Sequence, residues 1–264
     1  MRLLRPRSFW LLILPLWLLA FDDHAPIQRA FQHGEYLKFR MDYGFINAGY
    51  ASLEVAEKPV MVDGHACYHI IGKGWSNATW DKIYKIRDRY ESWVDQDKLV
   101  SRRFERYLNE GKFHSIQKVR FEQEQGKARY YDPNRGDQTY RVPKQVQDVL
   151  SAFFYARSRY DHRNLEVGDR ISLRNFLDRK VYGLEAQMLA RETIEVGDHT
   201  FKALKFDLLI EEAGFITDGS EIHFWISDDL NKIPLRIECE LMIGSLDCDL
   251  IEWRGLRHPL TSLQ

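Results

Sequence analysis

The chain is 264 residues long, with 38 Lys plus Arg against 39 Asp plus Glu and a formal net charge of -1. Nucleic-acid binding is driven by excess, clustered cations, so this balance argues against nucleic acid as the main partner. Hydrophobic residues at 44% are ordinary for a globular protein, and 13% aromatics suits strands and the lining of apolar cavities.

Arg2, Arg5 and Arg7 form a positive n-region, and Phe9 to Ala20 form an apolar run broken only by Pro15. That run is too short to span a bilayer with ease, so residues 1–20 read as a secretory signal peptide cut after Leu18-Leu19-Ala20. No stable transmembrane anchor is expected, and the mature chain from Pro26 to Gln264 reads as one exported domain. Leu37, Phe39, Met41 and Tyr43 then alternate with Tyr36, Lys38, Arg40 and Asp42, the period of a half-buried strand. A turn at Gly44 to Gly49 returns the alternation at Ala51, Leu53 and Val55, and Asp63-Gly64 marks the next hairpin. A short helical turn is compatible with Ser76 to Trp80. Strand-and-turn units continue through Tyr84 to Tyr90, with further turns near Gly126 and at Asp132-Pro133-Asn134-Arg135-Gly136.

One helix is expected, over Val149 to Arg157. Asp148 is placed as its N-cap, and Arg157 suits the negative end of the helix dipole. No βαβ alternation and no Gly-rich phosphate loop appears. The fold class is therefore all-β and antiparallel, a curved open barrel or sandwich with one short helix. Its second part echoes its first, over about 34–146 and 168–257. Gly34-Glu35-Tyr36-Leu37, Gly64-His65 and Trp93-Val94-Asp95 recur as Gly168-Asp169-Arg170-Ile171, Asp198-His199 and Trp225-Ile226-Ser227, at offsets of 134, 134 and 132 residues. Three landmarks in one order at nearly one offset point to two related half-sheets.

His65, Cys67 and His69 stand two apart and so share a strand face. Two imidazoles and a thiolate could hold zinc if a fourth ligand completed the tetrahedron. The repeat aligns Cys67 with Phe201 and His69 with Ala203, which favours a packed, core-facing row and no metal. The pattern Arg102-Arg103-Phe104-Glu105-Arg106-Tyr107 reads as a solvated strand face. Asp228-Asp229 after Trp225, like Asp95 and Asp97 after Trp93, read as turn formers rather than a calcium site, which would need six or more oxygens. In an oxidising compartment Cys239 and Cys248 could pair across the hairpin around Ile243-Gly244, leaving Cys67 unpaired; three packed, reduced thiols are the alternative.

Three segments resemble the bacterial exported family called domain of unknown function 3108. They are Gly34 to Phe39 running into Asn47-Ala48-Gly49-Tyr50-Ala51-Ser52-Leu53, then Asp148 to Arg157, then Phe224 to Leu235. Together they cover almost all of the mature chain in family order. The resemblance implies a Gram-negative envelope protein, periplasmic in location, and carries over no catalytic residue. By analogy it also suggests a curved open barrel similar to periplasmic lipoprotein carriers, which hold acyl chains inside.

No coherent set of reactive groups stands out, and no cofactor is expected. The expected function is non-catalytic: binding of a hydrophobic or amphipathic ligand such as a lipid or envelope precursor. Phe39, Tyr43, Trp80, Phe153, Phe154 and Trp225 are the candidate lining residues. The first alternative is a structural scaffold of the envelope that contacts another envelope protein. The second is a hydrolase using Ser151, which would need a His and a carboxylate within reach and lacks the Gly-x-Ser-x-Gly elbow.

Overall fold

The computed structural model describes residues 27–132, 136–212, 215–216, 222–240 and 245–264. The signal-peptide reading, the turn residues Pro133-Asn134-Arg135 and the hairpin tip at Ile243-Gly244 lie outside the described residues. The first part of the chain forms β1 (Tyr36–Tyr43), β2 (Ile46–Val55), β3 (Val60–Val62), β4 (His65–Ser76) and β5 (Arg87–Asp95). It continues as β6 (Ser101–Glu110), β7 (Phe113–Glu122), β8 (Lys127–Asp132) and β9 (Gly136–Arg141), and then enters α1 (Val149–Arg157). The second part forms β10 (Arg170–Leu177), β11 (Lys180–Val196), β12 (His199–Glu212) and β13 (Phe215–Ile216). It ends in β14 (Ile222–Ser227), β15 (Pro234–Glu240) and β16 (Ser245–Arg254). Between β4 and β5 the chain makes a 3-10 turn at Trp80–Lys82.

All these strands belong to one antiparallel sheet that does not close, in the order β10-β11-β12-β14-β15-β16-β1-β2-β4-β5-β6-β7-β8-β9, with β3 paired to β4 and β13 to β12 off that path. The fold is thus all-β and open. Two meandering runs meet where β1 pairs with β16, Leu37 facing Trp253 and Phe39 facing Leu250. The repeated landmarks hold the same places in the two runs. Gly34 N donates to Val55 O and Gly168 N to Met188 O, both at 2.9 Å, ahead of β1 and β10. Trp93 and Trp225 each precede a β-bulge, in the β5–β6 and β14–β15 ladders. On β4 and β12 the correspondence differs from the sequence alignment by two residues. Cys67 faces Asp95 as Ala203 faces Ser227, so Cys67 matches Ala203 rather than Phe201.

The gap between β9 and β10 is bridged in part by the approach to the helix. Gln147 N donates to Arg174 O and Phe176 N donates to Gln147 O, both at 2.8 Å, a single parallel bridge on the free edge of β10. The β10–β11 hairpin tip leans on the first run. Asp178 and Arg179 have φ of 48° and 70°, the left-handed pair that a two-residue hairpin requires and that Arg adopts at a steric cost. Contacts across the gap hold the tip in place: Arg106 Nη2 and Gln117 Nε2 donate to Asp178 at 2.5 and 3.0 Å. The Arg179 guanidinium lies 5.8 Å from the Tyr130 ring centre.

The helix is tied down at both ends. Asp148 accepts from Leu150 N and Ser151 N at 2.8 and 2.9 Å, and Ser151 Oγ accepts from Asp148 N, a reciprocal capping box. The second Asp148 oxygen accepts from Ser92 and Ser101 of β5 and β6. Gly72 of β4 lets the first turn come close, since a Cβ there would sit 3.2 Å from a Leu150 methyl. At the other end Arg157, 2% exposed, forms a two-pronged ion pair with Glu35, 1% exposed, at 2.7 and 3.1 Å. Arg157 also donates to the carbonyl of Asn231 at 2.8 Å.

Cys239 and Cys248 are not joined by a disulfide. The register accords with the second of the two alternatives, unpaired thiols: Cys239 faces Leu246 and Cys248 faces Ile237, so the cysteines are diagonal neighbours. Diagonal side chains lie about 7–8 Å apart, beyond the reach of a bridge. Burial pushes the Cys248 thiol up to about 12, with Asp247 and Asp249 adding to the effect.

Removing one member of a buried ion pair strands the other charge, at a cost of about 3–5 kcal/mol. Arg157→Met is therefore expected to lower the unfolding free energy by about that amount in urea titrations. Glu35→Leu combined with Arg157→Met should recover part of the loss. No recovery would mean that the carbonyl contacts of Arg157, rather than Glu35, carry the anchor.

Candidate functional site

Beside the helix, the second run of the sheet leaves an apolar cavity of about 320 Å³. Its floor comes from residues two apart on neighbouring strands, Phe206 and Leu208 of β12 against Phe224 and Ile226 of β14, extended by Ile171 of β10 and Ala186 of β11. The alternation of each strand puts these side chains on one face. Phe206 and Phe224 stack at 5.5 Å with their planes 13° apart. The roof is the helix face of Val149, Ala152, Phe153 and Ala156, which recur at helical spacing, followed by Tyr160. Arg157 and Asn175 add polar atoms to the wall. The Arg157 charge is already neutralised by Glu35.

Tyr160 of the cavity wall rests on a buried lysine. Lys232, 1% exposed, sits with its ammonium 4.6 Å from the Tyr160 ring centre and donates to the Tyr160 carbonyl. Its backbone is held by Asp229, which accepts from the amides of Asn231 and Lys232 at 2.9 and 3.3 Å. Burial pulls the lysine pKa down from 10.5 to about 8. Tyr160 is raised above the ordinary phenol range, also by burial.

Of the residues proposed from sequence as lining, Phe153 faces the cavity. Phe154 points to the other side of the helix, against Phe31, with ring centres 4.7 Å apart. Phe39 and Trp225 are packed in a separate core cluster with Leu37, Phe201 and Leu235. The Trp225 indole N–H donates to Glu192, and Lys205 lies 4.7 Å from its ring. Tyr43 and Trp80 lie together elsewhere, half-buried, with ring centres 6.1 Å apart. Phe206, Phe224 and Tyr160 were not singled out from sequence. The spacing Leu204-Phe206-Leu208 was the signal that could have pointed to this floor.

The other candidate chemistries are occupied by local partners. His69 Nε2 meets Glu91 at 2.6 Å and its ring stacks on Trp93 at 4.6 Å. His65 Nδ1 meets Asp95 at 3.2 Å, and Asp95 is itself held by Arg102 at 2.8 Å. Cys67 lies between them, fully buried, its thiol pushed up to about 11 by burial. Among the described residues no three His, Cys, Asp or Glu side chains form a group that could hold a metal. The Ser151 hydroxyl is buried within the capping box and donates to Asp148 O at 3.2 Å. Asp148 is fully buried; burial raises its carboxyl pKa, against the donors from Ser101 and Ser92.

A family model described as "Protein of unknown function (DUF3108)" matches residues 38–251. No curated protein matches the chain. Among solved structures, the chain is similar to a β-barrel-like protein of domain of unknown function DUF1849 from Brucella abortus. The TM-score is 0.53 and the identity 9%, over 85% of this chain and 99% of that one. A provisionally described lipoprotein from Parabacteroides distasonis also aligns, at a TM-score of 0.36 and 9% identity, over 87% of this chain and 100% of that one. The Brucella structure supports the barrel-like fold and says nothing of activity.

The depressed Lys232 pKa makes stability pH-dependent with a definite sign. Between about pH 8 and 10.5 the unfolded chain holds a proton at Lys232 that the folded chain has released. Stability from this group is therefore present above pH 10.5 and is lost as pH falls through 8. The stability of wild type relative to Lys232→Met is expected to rise by about 3 kcal/mol across that window. Urea unfolding of both proteins at the two ends of the window measures it, and a pH-independent difference would rule out a depressed pKa.

Proposed function

We propose, for a chain that belongs to the DUF3108 family, that it binds a ligand with a single hydrocarbon chain in the cavity beside α1. The observation that carries this reading is the wall itself: stacked aromatics and aliphatic side chains, with the one cationic wall residue, Arg157, neutralised from behind by Glu35. A hydrocarbon chain loses no hydrogen bond on entering such a space, whereas a sugar or peptide would leave polar groups unpaired. The reaction classes considered from sequence find no support next to it, since Ser151 is enclosed in the helix cap. The positive n-region and apolar run of residues 2–20 favour action in the periplasm.

Each buried methylene contributes about 0.8 kcal/mol, so roughly ten supply about 8 kcal/mol. Association costs at least about 4 kcal/mol, which leaves an affinity near the millimolar range from the tail alone. Useful binding therefore needs a second set of contacts.

The test is native mass spectrometry of the mature protein isolated gently from its own envelope, before and after organic extraction. A discrete adduct is expected, lost on extraction and missing from Ala186→Phe, which fills the cavity floor. An adduct-free mass from a lipid-retaining preparation would overturn the carrier reading and favour the structural-scaffold alternative.

A further inference from the structure

At one end of the sheet three connections lie side by side. The β1–β2 hairpin turns through Gly44-Phe45, since Tyr43 faces Ile46. The connection from β4 to β5 is tied to it: Asn77 Nδ2 donates to Asn47 O at 2.6 Å, and the Trp80 and Tyr43 ring centres lie 6.1 Å apart. On its other side the same connection is tied to the β6–β7 hairpin, which turns through Gly111-Lys112 between Glu110 and Phe113. Gly111 N donates to Lys85 O at 2.8 Å, and a Cβ at Gly111 would sit 2.8 Å from the Tyr84 ring. The three tips therefore form one surface, held together by hydrogen bonds.

That surface is apolar where it protrudes. Six large hydrophobic side chains among the described residues are more than half exposed, and four of them, Phe45, Ile46, Ile83 and Phe113, stand on these tips. The other two lie apart, Met61 on β3 and Val167 ahead of β10. Lys82, Lys85 and Lys112 stand on the same connections, exposed and without an ion pair among the described residues. The acids beside them, Asp42, Asp81, Asp88 and Glu110, are half-buried. Asp42 is paired with Arg40 at 2.7 Å and Asp81 with Arg87 at 2.6 Å. Asp88 accepts from Asn109 N at 2.9 Å, and Glu110 has its carboxyl pKa raised by burial and by Asp88. The exposed, unpaired charge of the tips is thus positive.

Separate apolar side chains on hairpin tips, with lysines between them, suit the interface of a fluid bilayer, which admits them one by one among its headgroups. A protein partner would need a pre-formed pocket for each tip. We infer that these tips dock the protein on an anionic lipid bilayer, with Phe45, Ile83 and Phe113 entering the headgroup layer and Lys82, Lys85 and Lys112 meeting the phosphates. The surface is separate from the cavity beside α1, and the inference stands whether or not that cavity holds a ligand. The two do share one end of the strands. The cavity residue Ile222 lies on the cross-strand row Ile222, Cys239, Leu246, Tyr43, Ile46, which leads to the β1–β2 tip. Docking would bring that side of the cavity towards the bilayer.

The test is cosedimentation of the mature protein with sucrose-loaded vesicles, either of phosphatidylcholine alone or with one part in three of phosphatidylglycerol. The wild type is expected to bind the anionic vesicles about tenfold or more tightly than the neutral ones, since lysines near such a surface each add to the attraction. In Phe45→Ser/Ile83→Ser/Phe113→Ser, binding to anionic vesicles should fall by about a hundredfold, each partly buried side chain carrying about fivefold. Lys82→Gln/Lys85→Gln/Lys112→Gln should lose the preference for anionic lipid. All six positions are exposed, so both variants should keep the urea midpoint of the wild type. Wild-type protein left in the supernatant with anionic vesicles would overturn the bilayer assignment. So would binding that survives the serine substitutions, which would mean adsorption by charge alone, or a lipid preference that survives the glutamine substitutions. None of these results touches the cavity reading, which the adduct measurement decides.

Discussion

A buried arginine that must keep its counter-ion is the constraint around which the molecule is arranged. Arg157 closes the helix, Glu35 opens β1, and the carbonyl of Asn231 belongs to the β14–β15 turn, so one guanidinium joins three segments distant in sequence. Taking Arg157 or Glu35 away would leave the other charge without its counter-ion in a low-dielectric interior. The rings of Phe31, Phe153 and Phe154 lie 5.1 to 5.8 Å from the same group and add cation–π contact. The helix is consequently held in one place over the sheet, and the cavity beneath it has fixed walls.

That node also explains why certain short segments were conspicuous in the sequence. The segments Gly34 to Phe39 with Asn47 to Leu53, Asp148 to Arg157 and Phe224 to Leu235 carried the family resemblance, and each contains a buried polar anchor of the helix seat or the turn beside it. Helix and caps were legible because their signals are local: Asp148 bonds its own first turn, and Arg157 stands at the end of the apolar run. Strand alternation was equally local and gave the fold class.

Facing and register were less accessible, for a physical reason. In β14 the run Phe224-Trp225-Ile226 is apolar on both faces, so period-two alternation is silent there. Trp225 was taken as a cavity residue, yet its face carries Glu192 and Lys205, while Phe224 and Ile226 face the cavity. The two alternatives left open for Cys239 and Cys248 differ by two residues of register, which only the hydrogen-bond ladder decides. The matched residues of the two runs stand 132 apart at Trp93 and Trp225 (225 − 93) but 136 apart at Cys67 and Ala203 (203 − 67), a change that a constant offset cannot capture.

The junction of β1 with β16 has a consequence for how the molecule comes into being. Tyr36 faces Arg254, so the middle of the sheet is built from strands more than two hundred residues apart in the chain. A polypeptide emerging N-terminus first can zip each run by short hairpins, which are fast, but the central joint must wait until the last strand is available. Until then β1 keeps a bare edge, with Leu37 and Phe39 lacking the neighbours supplied by Trp253 and Leu250. The interval between release of the first run and arrival of the final strand is thus the period when the nascent chain is most exposed to mispairing and to capture by chaperones.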